Sequence, residues 1–221
     1  RLDAAADVVT RLARSAPARE FGRSTLINVT GSQLQAAQDR LLADLVALLT
    51  EFPDQFIAAR YVTYTGTVWS EVTRYSTDAP LVDSRVQIGA QQNDAYTRRA
   101  QLSDPGTVVI APLAFVDSPG LMRLLPYVRL ITPVTSGSST TIAGTLQVDL
   151  QLHALLDPLN ARIADLAAQQ DGRRVIIADS DNRVIIDTGS RDRAQIRDIA
   201  TNNALMLPMA APDAAALIAE S

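Results

Sequence analysis

The sequence predicts an α+β protein with long N-terminal helices and two antiparallel sheets. Three observations predict it. Apolar residues recur at helical spacing up to Pro53. From residue 56 the period changes to two, and strand-like runs separated by Gly, Pro and Ser follow one another to residue 150. Near residue 152 the order of helix, then hairpin, begins again.

Residues 2–16 place Leu2, Val9 and Leu12 at helical spacing, and Pro17 is expected to end that helix. Residues 18–31 read as irregular. Gly31-Ser32 then starts a second helix, whose stripe is Leu34, Leu41, Leu42, Leu45, Leu48 and Leu49. Pro53 closes it. Residues 56–64 and 67–75 form a hairpin across a two-residue turn at Thr65-Gly66. A short helix is expected near 90–101, followed by strands in 106–115, 127–135 and 140–150. Pro112 places the first of these at a sheet edge or a strand end. Residues 152–170 read as a linking helix, 173–189 as a second hairpin turning at Asp179–Asn182, and 191–205 as a final helix.

The turn sets which hairpin residues share a face. Tyr61 opposes Ser70 and Arg60 opposes Glu71. One face holds Ala59, Tyr61, Thr63, Val68, Ser70, Val72 and Arg74. The other holds Arg60, Val62, Tyr64, Trp69 and Glu71, with Arg60 and Glu71 a cross-strand ion pair.

Composition removes many functions. The 221 residues carry a net charge of -4, which gives no basic footprint for nucleic acid. There is no cysteine, so disulfides, thiolate metal sites and thiol nucleophiles are excluded. All 20 basic residues are arginine. Without lysine there is no Walker A loop, no Schiff base and no Ser-x-x-Lys nucleophile. The single histidine, His153, has no partner for zinc. Residues 179–182 lack the glycine and distal glutamate of a calcium loop. Neither catalytic residues, nor a metal site, nor a cofactor is expected. No run reaches the roughly 18–20 apolar residues of a membrane span. The chain opens at Arg1 inside a helical pattern, as a piece of a longer protein would.

Three stretches carry a family likeness. They are "ARYVTYTGTVWSEVTRY" (59–75), the run from "VVIAPLAF" through "PYVRLITPVTSGSSTTIAGTLQVDLQLHALL" (108–156), and "VIIADSDNRVIIDTG" (175–189). In this order they resemble the extracytoplasmic double-Cache, or PDC, sensor domains of bacterial histidine kinases, diguanylate cyclases and chemoreceptors, whose fold is related to PAS. The chain departs from the family in its Thr65-Gly66 turn, its lack of the Trp-Tyr ligand motif and its short second unit. The resemblance implies helices over 1–53, a membrane-distal PAS-like ligand-binding unit over 54–151 and a linking helix with a short or incomplete membrane-proximal unit over 152–221. It further implies a periplasmic location, flanking transmembrane helices outside this chain, a homodimer through the N-terminal helix and a cytoplasmic output domain.

The resemblance places the ligand against the Tyr61 face. Small residues there surround a phenol, a serine and an arginine, which suits a small-molecule pocket. Tyr96 and Arg99, three apart on the covering helix, share a face. Arg129 lies on the strand ending near Pro133. The expected ligand-binding set is therefore Tyr61, Ser70, Arg74, Tyr96, Arg99 and Arg129. Guanidinium forks favour an organic anion. The alternative is a structural or protein-interaction module whose pocket is filled by its own side chains.

Overall fold

The computed structural model describes residues 2–27, 29–74, 81–84, 94–111, 114–118, 123–151, 176–178 and 184–187. The helices expected over 152–170 and 191–205, with His153 and the turn at 179–182, lie outside the described residues. The chain divides into two compact units, Arg1–Ala111 with Val128–Leu150, and Pro112–Tyr127 with Gln151–Ser221.

The first unit begins with three helices, where the sequence suggested two. Helix α1 covers Leu2–Ala13 and α2 covers Ala16–Leu26. Pro17 opens α2 rather than ending α1, and residues 18–26 are helical rather than irregular. The reason is local. Proline is tolerated in a first turn, where its missing N–H has no intrahelical partner to lose. Ser15 caps α2 by accepting from Ala18 N at 3.3 Å. The same hydroxyl donates to Asp44 of helix α3 at 3.0 Å. Helix α3, Ser32–Glu51, follows Gly31 at φ 71 and buries Leu41, Leu42, Leu45, Leu48 and Leu49.

The main sheet pairs its strands antiparallel wherever their register is described. Its strands are β1 (Phe56–Thr63), β2 (Val68–Thr73), β3 (Val82–Ser84), β4 (Val109–Ile110), β6 (Arg123–Thr135) and β7 (Ile142–Gln151), in the order β3-β2-β1-β7-β6-β4. Helix α4, Ala95–Gln101, falls within the helix expected near 90–101, whose residues 90–93 lie outside the described residues. Strand β1 is buried at all eight positions, so it is covered on both faces rather than one.

In the second unit, β5 (Ala114–Ser118) pairs antiparallel with residues Arg123–Tyr127 of β6. The hairpin expected near 173–189 is present as β8 (Ile176–Ala178) paired with β9 (Val184–Asp187).

The β1–β2 turn differs from the two-residue turn expected. Thr63 N donates to Thr67 O, and Gly66 N donates to Thr63 O, both at 2.9 Å. The loop is Tyr64-Thr65-Gly66, with Gly66 at φ 88. This is a three-residue connection ending in a left-handed glycine. Arg60 still faces Glu71 and Tyr61 still faces Ser70, but Val62 pairs with Val68. Trp69 is therefore the extra residue of a β-bulge. The bulge turns its ring to the side of Tyr61, and both rings meet Phe21 edge-on, at 6.1 and 5.0 Å between centroids. The expectation had placed Trp69 with Arg60.

Candidate functional site

The sheet of the first unit has two unlike faces. On one, Tyr61 and Ser70 lie under α2 and α3. Tyr61 is fully buried, its hydroxyl 3.3 Å from Thr25 Oγ1. Burial pushes the phenol well above the usual tyrosine range, against a smaller lowering by the Thr25 hydroxyl. Gly22 and Gly144 let the backbone close on this ring: a Cβ on Gly144 would meet the Val62 carbonyl and lie 2.6 Å from the Tyr61 hydroxyl. Gln38 Nε2 donates to Trp69 O at 2.7 Å and lies 3.3 Å from Ser70 Oγ. These contacts pack the face with the chain's own side chains.

The opposite face carries the charge. Strand register places Arg60 beside Gln147, and Ala58 beside Asp149. Arg60 Nη2 donates to Asp149 Oδ2 at 2.7 Å. Arg129 grips the same carboxylate with two donors, Nε to Oδ1 at 2.6 Å and Nη2 to Oδ2 at 3.1 Å. This is the two-donor fork that guanidinium geometry allows. On the other side of β1, Arg60 Nε lies 2.9 Å from Glu71 Oε1. That contact is an ion pair rather than a hydrogen bond, since it leaves the Arg60 Nε without a hydrogen-bond partner. The side chain of Asp149 is 4% exposed and that of Glu71 22%.

Helix α4 covers this face. Asp94 caps it, accepting from Thr97 N at 2.7 Å. Gln147 Nε2 donates to Thr97 Oγ1 at 3.0 Å, and Gln101 Nε2 donates to the Tyr64 carbonyl at 3.1 Å. Ala100 packs with Val109 and Ile131, and Tyr96 lies against that cluster. Beneath the helix, Gln147 Oε1 and Thr145 Oγ1 are buried without a hydrogen-bond partner. Buried polar atoms are nearly always paired, so two unpaired ones beside an ion cluster single out this part of the face. The face carries two guanidiniums and two carboxylates paired with one another, and an unpaired amide oxygen.

The structure divides the expected set. Tyr61 and Ser70 lie together on the helix-packed face. Arg74 is half-buried and follows β2 on the parity of Ser70; its N–H bonds Ile57 O at 2.7 Å, and its Nε is buried without a hydrogen-bond partner. Arg99 is exposed on α4. Arg129 and Tyr96 lie on the charged side, with Arg60 and Glu71, which the sequence assigned to structure. Asp149, Gln147, Thr145 and Thr97 were missed. A trace was there in "TLQVDL" (145–150), where polar residues alternate with apolar ones in a strand buried on both faces. Among the described residues there is no cluster of three or more His, Cys, Asp or Glu able to hold a metal. Among them, too, no helix is long and apolar enough to cross a membrane.

No family model matches the chain, and no curated protein matches it. Solved structures do. A domain of a sensory box/GGDEF family protein from Vibrio parahaemolyticus superposes with a TM-score of 0.56 at 15% identity, over 72% of this chain and 56% of that one. The extracellular domain of the histidine kinase vpHK1S-Z8 gives 0.52 at 14% identity, over 72% and 53%. The chain thus spans little more than half the length of either. The ligand-binding domain of the Pseudomonas fluorescens chemoreceptor CtaA, in complex with L-valine, aligns with 98% of this chain and 73% of that one, at a TM-score of 0.49 and 12% identity. The first two of these share a fold with this chain, and its N-terminal helices, antiparallel sheet with β1 between β2 and β7, and covering α4 make up the α+β fold seen in PDC/Cache-type sensor domains.

Proposed function

We propose that this chain is an extracytoplasmic sensing module of a membrane-anchored receptor, and that a small molecule binds on the sheet face holding Arg60, Glu71, Arg129 and Asp149, beneath α4. The observation that carries this reading is the pair of buried, unpartnered oxygens on Gln147 and Thr145 beside a four-residue ion cluster. Among the described residues, two guanidiniums meet two carboxylates there. A mixture of both signs suits a ligand that carries both signs, an amino acid for example, as well as the organic anion that arginines alone suggest. Of the six residues picked out in the sequence, Arg129 and Tyr96 belong to this site.

The module does no chemistry of its own in this reading and needs no cofactor. Flanking transmembrane helices anchor the parent protein, the N-terminal helix supplies a dimer contact, and the output domain lies on the cytoplasmic side. A ligand acts by its difference in affinity between two arrangements of the module. One observation favours a second reading, a structural or partner-binding module: Asp149 already has both arginines, so the cluster can stand without a ligand.

Thermal unfolding in a panel of amino acids, small carboxylates and purines separates the two. A ligand at 100 times its Kd adds about 2.7 kcal/mol and shifts the midpoint by several degrees. A panel in which no compound moves the midpoint supports the structural reading instead.

A further inference from the structure

Helix α4 does more than cover the charged face: the turn that follows it holds the end of α1. Residues Asp104–Thr107 close on a hydrogen bond from Thr107 N to Asp104 O at 3.0 Å, with Pro105 second and Gly106 third at φ 97. That is the pattern of a type II turn, whose central peptide is turned so that its carbonyl has no partner within the turn. Arg14 takes that carbonyl, donating from Nη2 to Pro105 O at 3.4 Å. Its guanidinium also lies in the space left by the missing side chain of Gly106, where an added Cβ would collide with it.

Arg14 stands at a break in the chain. Helix α1 ends at Ala13, and Arg14 N bonds Thr10 O and Arg11 O. Ser15 then starts α2 and is tied to Asp44. Helix α2 is thus held to α3, and the direction in which α1 leaves is set at residues 14 and 15. At the other end of the path, α4 is fixed to the charged face through Thr97 and Gln147, and to the hairpin carbonyls through Gln101. Its C-terminal carbonyls are closed by Leu102 and Ser103 N–H groups, which join it stiffly to the turn.

We propose that Arg14 is a latch that couples the position of α4 over the charged face to the angle between α1 and α2. A group that lifts or settles α4 moves the Pro105 carbonyl and the Gly106 cradle together. Arg14 follows, and α1 changes its direction at the break. This extends the sensing role proposed above, on which its meaning as a signal rests.

The coupling is testable without a ligand, by hydrogen exchange on the whole chain. The double variant Asp94→Ala/Gln101→Ala removes the cap of α4 and its hold on the hairpin. It is expected to speed exchange in α4 and, through Arg14, in residues 2–13 by about threefold or more, within the range seen for coupled sites. Adding Arg14→Ala is expected to cut that effect on α1 to under about twofold, while α4 stays loosened. Exchange in α3 serves as the control for global destabilisation. If α1 is unaffected by loosening α4, or responds equally with and without Arg14, the latch is wrong. If α4 holds its protection despite both substitutions, Gly106→Ala displaces the guanidinium directly, and unchanged α1 exchange then overturns the proposal. Loss of the latch leaves the ligand face standing, and a failed ligand screen leaves the latch standing.

Discussion

Asp149 accepts from Arg60 and Arg129 in a nearly closed environment, and this concentrates much of the first unit's electrostatic risk in one carboxylate. Removing one partner from a buried ionic group leaves charge uncompensated, which costs far more than the intact group contributes. Asp149→Ala is expected to lower stability by about 3–5 kcal/mol in urea denaturation. A loss below about 1 kcal/mol would show that water already solvates the cluster. Tyr61 gives the opposite kind of test. Its phenol is held neutral by burial, so its folded pKa lies above the unfolded value of about 10. The associated stability is complete below that value and is lost as pH rises from it toward the folded pKa. Between pH 9 and pH 11 the wild type is therefore expected to lose stability faster than Tyr61→Phe, measured by denaturation at each pH. Parallel curves would mean that the hydroxyl is solvated. The sequence reading put Tyr61 in the ligand-binding set because the resemblance places the ligand on its face, and an alternation pattern shows which residues share a face but not what packs on it. Phe21, Thr25 and Gly22, which do the packing, come from a segment that read as irregular.

At the scale of elements, the hairpin shows how a small difference in register moves a side chain from one face to another. Arg60–Glu71 and Tyr61–Ser70 are paired as the alternation required. One residue further, the bulge at Trp69 breaks the alternation and brings the indole to Phe21. A bulge has no reliable sequence mark, so the two lists of facing residues were right near the middle of the strands and wrong at Trp69. The helix break at residues 14–15 was obscured for a related reason: Pro17 serves equally as a stop and as a first-turn residue, and only the Ser15 cap decides. Close packing of α2 on β7 rests on small residues. Gly144→Ala places a Cβ against the Val62 carbonyl and the Tyr61 hydroxyl, one of them backbone that cannot easily move. It is expected to cost about 1–3 kcal/mol through overpacking. A thermal midpoint within a degree of wild type would show that the helix–sheet contact is looser than described.

Across the whole molecule, the fold class, the β1–β2 hairpin and the later strands up to residue 150 were legible because they depend on period and on turn residues, which a single sequence displays; α2 and β3 were not. Strand order was not, since β7 reaches β1 from about 85 residues away and nothing local to either strand records the pairing. The candidate site depends on that pairing. Arg60 and Asp149 meet only because β7 lies beside β1, and Arg129 joins them from β6. The sequence therefore found Arg129 and the Arg60–Glu71 pair separately and could not assemble them. The central claim is that the ligand lies on this charged face, and not on the one packed against the helices. Calorimetric titration of the compound that most raises the thermal midpoint, into Gln147→Leu and Ser70→Ala beside wild type, tests it directly. Gln147→Leu keeps the volume and removes the unpaired oxygen, and should weaken binding at least about tenfold, or 1.4 kcal/mol. Ser70→Ala should leave the affinity within about twofold, under 0.5 kcal/mol. Binding that survives Gln147→Leu and is lost in Ser70→Ala would contradict the account and put the site on the opposite face.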